Sequence, residues 1–141
     1  MLSLQNKNIW DFYPEDTIVI TTNMMLNKNG HCVMGKGLAL EMKTRYPEFP
    51  GLLAPYRFDV QYWFRFNVIT FPTKVDWKEK SDTHLIIKGL RELLRLKPKW
   101  NLGKIYLPPL GCGNGGLNYQ KDVLPILERL LIDDTFIIVT K

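Results

Sequence analysis

Apolar and β-branched residues gather in short blocks along the chain, separated by polar or glycine-rich stretches. Thr17-Ile18-Val19-Ile20-Thr21-Thr22 is almost wholly β-branched, the composition of a strand buried on both faces. Val68-Ile69-Thr70-Phe71 predicts a second strand, stopped by Pro72 because proline has no N–H to give a sheet ladder. A third covers residues 104–107 and ends at Pro108 and Pro109. A fourth covers residues 135–140. Two weaker segments, residues 61–66 and 9–13, read as further strands.

Between these blocks the apolar spacing changes to that of helices. Residues 37–46 place Leu38, Ala39, Met42 and Tyr46 on one face, and Pro47 closes the segment. Residues 82–96 repeat Leu85, Ile86, Leu90, Leu93 and Leu94, with Ser81 or Asp82 as N-cap. Residues 123–132 carry Val123, Ile126, Leu127, Leu130 and Leu131. A helical turn is expected at residues 51–56. No repeat, low-complexity tract or linker interrupts the pattern, so residues 1–141 are expected to form one domain. Strands alternating with helices predict an α/β fold with helices flanking a buried sheet. Ligands in such folds bind beyond the carboxyl ends of strands, so the loops that follow strands carry the functional information.

Two of those loops are rich in glycine. Asn27-Lys28-Asn29-Gly30-His31-Cys32-Val33-Met34-Gly35-Lys36-Gly37 leads from the first strand into a helix. Leu110-Gly111-Cys112-Gly113-Asn114-Gly115-Gly116-Leu117 follows the third. Glycine lets a backbone approach a ligand closely, and free N–H groups at a helix start attract phosphate. The pair predicts a pocket that closes on a diphosphate from two sides. Residues 111–116 fit G-x-G-x-x-G, yet they lie late in the chain rather than in a first βαβ unit, which argues against a dinucleotide fingerprint.

Composition sharpens this picture only slightly. A net charge of +5 favours anionic partners, but the basic residues form no block of the kind that marks a DNA-binding surface. Two cysteines, Cys32 and Cys112, are too few for a disulfide framework or a zinc site. No cluster of His, Cys, Asp or Glu has ligand spacing, so neither metal nor cofactor is expected. No apolar run approaches the roughly 18 residues of a membrane helix, and the polar start lacks the h-region of a signal peptide. A cytoplasmic monomer without membrane contact is expected.

The motifs together resemble those of the macro-domain family. Val33-Met34-Gly35-Lys36-Gly37-Leu38-Ala39-Leu40 is similar to the family's V-M-G-K-G-I-A segment. Residues 107–119 are similar to its L-P-P-L-G-C-G-N-G-G-L-D-W loop. Phe71-Pro72-Thr73-Lys74, with Trp77 and Ser81, is similar to the F-P-T-K-x-x-W segment of the branch containing DarG-type antitoxins, which remove ADP-ribose from thymidine in DNA. The resemblance implies a three-layer α/β/α domain with a mixed central sheet and an ADP-ribose cleft. It implies that Thr22 and Asn23 stand at the distal ribose end, and that Cys32, Val33, Met34, Gly35 and Gly37 cradle diphosphate and ribose. Thr73, Lys74 and the second loop, Leu110, Gly111, Cys112, Gly113, Asn114, Gly115, Gly116 and Leu117, complete the implied binding set.

Lys36 is the implied catalytic residue, matching a lysine that the DarG-type branch requires. Its amine could attack the anomeric carbon or the opened aldehyde, stabilise the leaving group, or only neutralise phosphate. Some hydrolases of the wider class carry an aspartate where this chain has Gly115, and the nearest acids in sequence are Asp122 and Glu128. Residues 24–32 form a longer connection than is usual in that branch, and His31 within it is either a surface residue or a proton donor near the distal ribose. Three functions stay open. The chain removes ADP-ribose from a nucleobase or protein, or acts as a phosphatase of phosphorylated ADP-ribose, or reads ADP-ribose without catalysis. The partner is thus ADP-ribose or an ADP-ribosylated substrate, ADP-ribosylated DNA among them.

Overall fold

The computed structural model describes residues 1–141. Six strands, β1 (Leu2–Leu4), β2 (Thr17–Asn23), β3 (Gln61–Trp63), β4 (Val68–Lys74), β5 (Ile105–Leu107) and β6 (Phe136–Val139), form one sheet in the order β1-β6-β5-β2-β4-β3. Every neighbouring pair is parallel except β3 with β4, so the sheet is mixed only at its edge. Four helices, α1 (Gly37–Arg45), α2 (Phe49–Leu53), α3 (Thr83–Lys99) and α4 (Leu124–Leu130), cover its two faces.

Strand alternation sorts the apolar residues into two cores. Ile18 and Ile20 of β2 join Met42 of α1 and Phe49 and Leu53 of α2 on one side. Val19 between them joins Ile86, Leu90 and Leu93 of α3 and Leu127 of α4 on the other. Burying each of these side chains contributes about 1.5–3 kcal/mol. Both faces of β2 are therefore covered, which is why its sequence is a continuous run rather than an alternation.

The strand expected over residues 61–66 is only Gln61–Trp63, the turn expected over 51–56 begins at Phe49, and four further differences have a local reason. Residues 9–13 are not a strand: Ile9–Phe12 form a 3-10 turn, capped by the Asn8 side chain, which accepts the Trp10 N–H at 3.0 Å. Pro72 does not stop β4, which runs on to Lys74. Its pairing with β2 shifts register between Thr22 and Asn23, and an irregularity there absorbs the missing donor. α3 runs past Leu96 and holds Pro98 in its last turn; Asp82 is its N-cap, accepting the His84 N–H at 2.8 Å. α4 begins at Leu124 behind a π turn over Tyr119–Val123. The sequence reading missed β1, three residues that pair only with β6.

Candidate functional site

Strands β2, β4 and β6 and the Pro108-Pro109 step after β5 open at their carboxyl ends into a cleft of about 830 Å³. Thr21, Thr22 and Asn23 of β2 lie at its floor, and Thr73 and Lys74 of β4 beside them. This is where a parallel sheet exposes strand ends to a ligand. The first glycine loop forms one wall and the second the other. They meet at Gly37, where a Cβ would stand 3.2 Å from the Asn114 Nδ2.

The first wall leads into α1. Lys36 is its N-cap, with extended backbone, and its carbonyl accepts the Leu40 N–H at 3.2 Å. The amides of Gly37, Leu38 and Ala39 precede that first helical bond, and all three residues line the cleft. They form the partially positive end of the helix. Gly37 sits at φ +58°, a conformation that disfavours any residue with a Cβ. The Lys36 side chain is exposed and joins none of the ion pairs in the molecule. Asn23 fixes the wall from behind. Its Nδ2 donates to the Val33 carbonyl at 3.0 Å, and its Oδ1 accepts the Met25 N–H at 3.0 Å.

The second wall is a 3-10 turn, Gly113–Gly115, with Gly111, Gly113 and Gly116 all at positive φ. Its own hydrogen bonds use the amides of Cys112, Gly115, Gly116 and Leu117, which leaves those of Gly111, Gly113 and Asn114 for a ligand. The Ser81 N–H donates to the Gly115 carbonyl at 2.7 Å, and the Ser81 Oγ lies 3.3 Å from the Thr73 hydroxyl. A Cβ at Gly115 would stand 2.3 Å from the Ser81 Oγ, so no carboxylate fits at this position as built. Lys74 acts as a clamp, its Nζ donating to the carbonyls of Trp77 at 3.0 Å and Asn114 at 3.5 Å.

Thirteen of the residues expected at the site line this one cleft: Lys36 together with Thr22, Asn23, Val33, Gly35, Gly37, Thr73, Lys74, Gly111, Cys112, Gly113, Asn114 and Gly115. The others lie off it. Cys32 and Met34 pack into the core on the α1 side, and Leu110 into the opposite core. Leu117 packs over Gly111, and Gly116 faces the stem of Lys80. Burial pushes the Cys32 thiol up to about 11 from 9.0, against the lowering effect of Arg57. Burial, with Asp122 adding to it, also raises Cys112. The buried Cys32 thiol therefore stays protonated at pH 8, and a maleimide should label it far more slowly in the folded protein than in the unfolded chain, a difference read by mass spectrometry. Equal rates would contradict this burial.

Sequence reasoning missed an acid. Asp122 accepts the Asn118 N–H at 2.8 Å in its own turn, and Glu128 is exposed on α4; neither lines the cleft. Glu41 does. It follows Gly37 by four residues on α1 and so shares its helical face, the signal that would have found it. With Lys7, Lys36, Lys74, Lys78 and Lys141 also at the cleft, its charged lining is five lysines to one carboxylate, a field suited to an anion.

No family model matches the chain. Curated relatives do. A DNA ADP-ribosyl glycohydrolase of Mycobacterium tuberculosis is 36% identical over 104 residues, covering 62% of this chain and 29% of its own length. The protein of the same name from Thermus aquaticus is 32% identical over 130 residues, covering 83% of this chain and 34% of its own. The chain thus spans about a third of these relatives. The solved macrodomain of Thermus aquaticus DarG superposes with a TM-score of 0.74 at 27% identity, over 99% of this chain and 97% of that one. The chain is a DarG-like macrodomain. Thermosipho africanus DarTG, solved with ADP-ribose, shares the fold over 99% of this chain and 42% of its own, with a TM-score of 0.77 at 24% identity.

The longer first connection of this macrodomain is held away from the cleft. Leu26 and Cys32 bridge its two arms, and Asn27 accepts the N–H groups of Asn29 and His31 across the turn. The Arg57 Nε donates to the Met24 carbonyl at 2.8 Å. His31 lies over Gly51, whose Cβ would stand 3.3 Å from the imidazole Nε2. His31 does not line the cleft, which removes it as a proton donor to the distal ribose in this arrangement. No helix of the macrodomain is long and apolar enough to cross a membrane.

Proposed function

We propose that this macrodomain binds ADP-ribose and hydrolyses the bond joining it to a nucleobase of DNA, with Lys36 as the catalytic residue. One observation carries the reading. An exposed lysine free of any ion pair stands at a cleft whose floor holds a buried Thr22 hydroxyl with no protein partner. Buried hydroxyls are almost always hydrogen-bonded, so the Thr22 Oγ1 suits a polar ligand atom. The diphosphate fits between the two glycine loops, against the free amides of Gly37, Leu38, Gly113 and Asn114. The names of the mycobacterial and Thermus relatives support the reaction.

Overall, water adds across the glycosidic bond. The anomeric carbon gains hydroxyl and the base leaves with a proton. The Lys36 amine either takes the opened sugar as a Schiff base, released by water, or steadies the charge of the departing base. Glu41 stands on the same helix, and its carboxylate supplies a counter-charge within the cleft. A non-catalytic reader is the second reading, favoured by the lack of room for a carboxylate at Gly115.

Calorimetry tests the binding. ADP-ribose should bind with Kd on the order of micromolar, equivalent to roughly −8 kcal/mol. No saturation at millimolar ligand would refute the reading. Gly113→Val should weaken binding strongly in a folded protein. Because Gly113 sits at φ +65°, the cleaner companion is Gly35→Ala, at a position with negative φ and open space around its Cβ. A smaller loss is expected there. Binding and turnover should both survive EDTA; activity lost to chelator and restored by a divalent ion would contradict a metal-free mechanism.

A further inference from the structure

Trp77 is an exposed aromatic side chain at the cleft, and the hydrolase reading gives it no task. It stands in the segment between β4 and α3, with 39% of its surface exposed. Trp77 belongs to neither apolar core. The loop itself is held from three sides. Lys74 clamps the Trp77 carbonyl to the second glycine loop, the Met24 N–H donates to the Val75 carbonyl at 3.0 Å, and Asp76 accepts the Lys78 N–H at 3.0 Å. Two flexible ammonium groups lie near the ring, Lys36 Nζ at 5.9 Å and Lys78 Nζ at 5.6 Å from its centroid. The ring therefore stands beside the proposed catalytic amine, in the lining of the same cleft.

We propose that Trp77 is the platform on which the modified nucleobase stacks, and that Lys78 and Lys80 meet the phosphates of a single DNA strand running past it. This rests on the hydrolase reading above and names the side of its substrate beyond the ADP-ribose. The chemistry is that of single-strand recognition, in which an aromatic face takes a base of any identity and nearby cations follow the backbone. Both lysines are exposed and in no ion pair; Asp76 is used in the turn, Asp82 caps α3, and Glu79 is the remaining acid of the segment. A base must leave its duplex to reach a cleft wall of this kind, so single strands are favoured over duplexes. An ADP-ribosylated protein has no such base and gains nothing from Trp77.

The test compares Trp77→Ala and Trp77→Phe with wild type. The probes are free ADP-ribose and a fluorescent single-stranded oligonucleotide carrying ADP-ribose through a non-hydrolysable carbon link. Stacking of one base is worth about 1–3 kcal/mol, so Trp77→Ala should weaken the oligonucleotide by roughly 5–150-fold. Trp77→Phe should weaken it much less, and free ADP-ribose should change by less than about twofold in both. Lys78→Ala and Lys80→Ala should each lower the salt slope of oligonucleotide binding by about 0.7. An unchanged oligonucleotide affinity in Trp77→Ala overturns the proposal. So does an equal loss of free ADP-ribose, which would make Trp77 a wall of the sugar site, and so does equal affinity for the duplex form of the probe. Failure of the hydrolase reading is seen separately, as wild-type protein that releases nothing from a cleavable strand, while the binding comparison still decides the role of Trp77.

Discussion

Lys36→Ala is expected to lose nearly all ADP-ribose release while keeping most of its affinity for ADP-ribose. The division follows from where the charges stand. In the proposed mode of binding, the diphosphate rests on backbone amides of the α1 start and of the Gly113–Gly115 turn, which are present whatever side chain occupies position 36. The amine matters only where charge develops at the anomeric carbon, and an interaction made in the transition state shows in kcat rather than in Kd. A fall in kcat of roughly 10²–10⁴-fold is expected, with Kd within about tenfold. Lys36→Arg keeps the cation but is a poor nucleophile and proton carrier, so it should bind and fail to turn over. Full activity in Lys36→Arg would reject amine chemistry and leave electrostatic stabilisation as sufficient. The same pair of variants separates enzyme from reader, because a reader has no turnover to lose.

Gly115→Ala is expected to damage the protein out of proportion to one methyl group. The added Cβ would meet the Ser81 Oγ at 2.3 Å and its Cβ at 3.1 Å. Ser81 has little room to retreat, since its N–H holds the Gly115 carbonyl and its hydroxyl meets Thr73. Overpacking of this kind costs about 1–3 kcal/mol, a fall in Tm of roughly 3–12 °C. ADP-ribose affinity should fall with it, because the second wall would shift. Removing the obstacle should rescue the variant: Gly115→Ala combined with Ser81→Gly should recover much of the loss, giving a favourable coupling in a double-mutant cycle. Additive effects in that cycle would show that the clash is relieved elsewhere. An aspartate at position 115 would meet Ser81 in the same way, so a carboxylate there needs Ser81 to move.

Much of this was legible in the residues. The β-branched run of β2 announced a strand buried on both faces, and Ile18, Val19 and Ile20 divide between two cores as that implies. The two glycine loops, read as a pair after strands, lie on opposite sides of one cleft. What escaped was set by long-range geometry. β1 is three residues long and exists because β6 offers it a partner, which no local pattern records. Pro72 was a sound stop signal in isolation, yet an irregular register with β2 accommodates it. Lys7, Glu41 and Lys141 come from distant segments to line the cleft, and only Glu41 carried a local cue in its spacing from Gly37. Cys32 and Met34 show the limit of motif reading. They sit inside the first loop's motif, but alternation along an extended backbone turns their side chains into the core while Val33 and Gly35 line the cleft.

The most direct test of the account is release of ADP-ribose by the wild-type macrodomain from three substrates, followed by chromatography of the products without added metal. The substrates are an ADP-ribosylated single-stranded oligonucleotide, an ADP-ribosylated protein and phosphorylated ADP-ribose. The account predicts free ADP-ribose and an intact, unmodified oligonucleotide from the first, at a rate well above that from the protein, and no phosphate release from the third. Binding of ADP-ribose without release from the oligonucleotide would contradict it and make this macrodomain a reader.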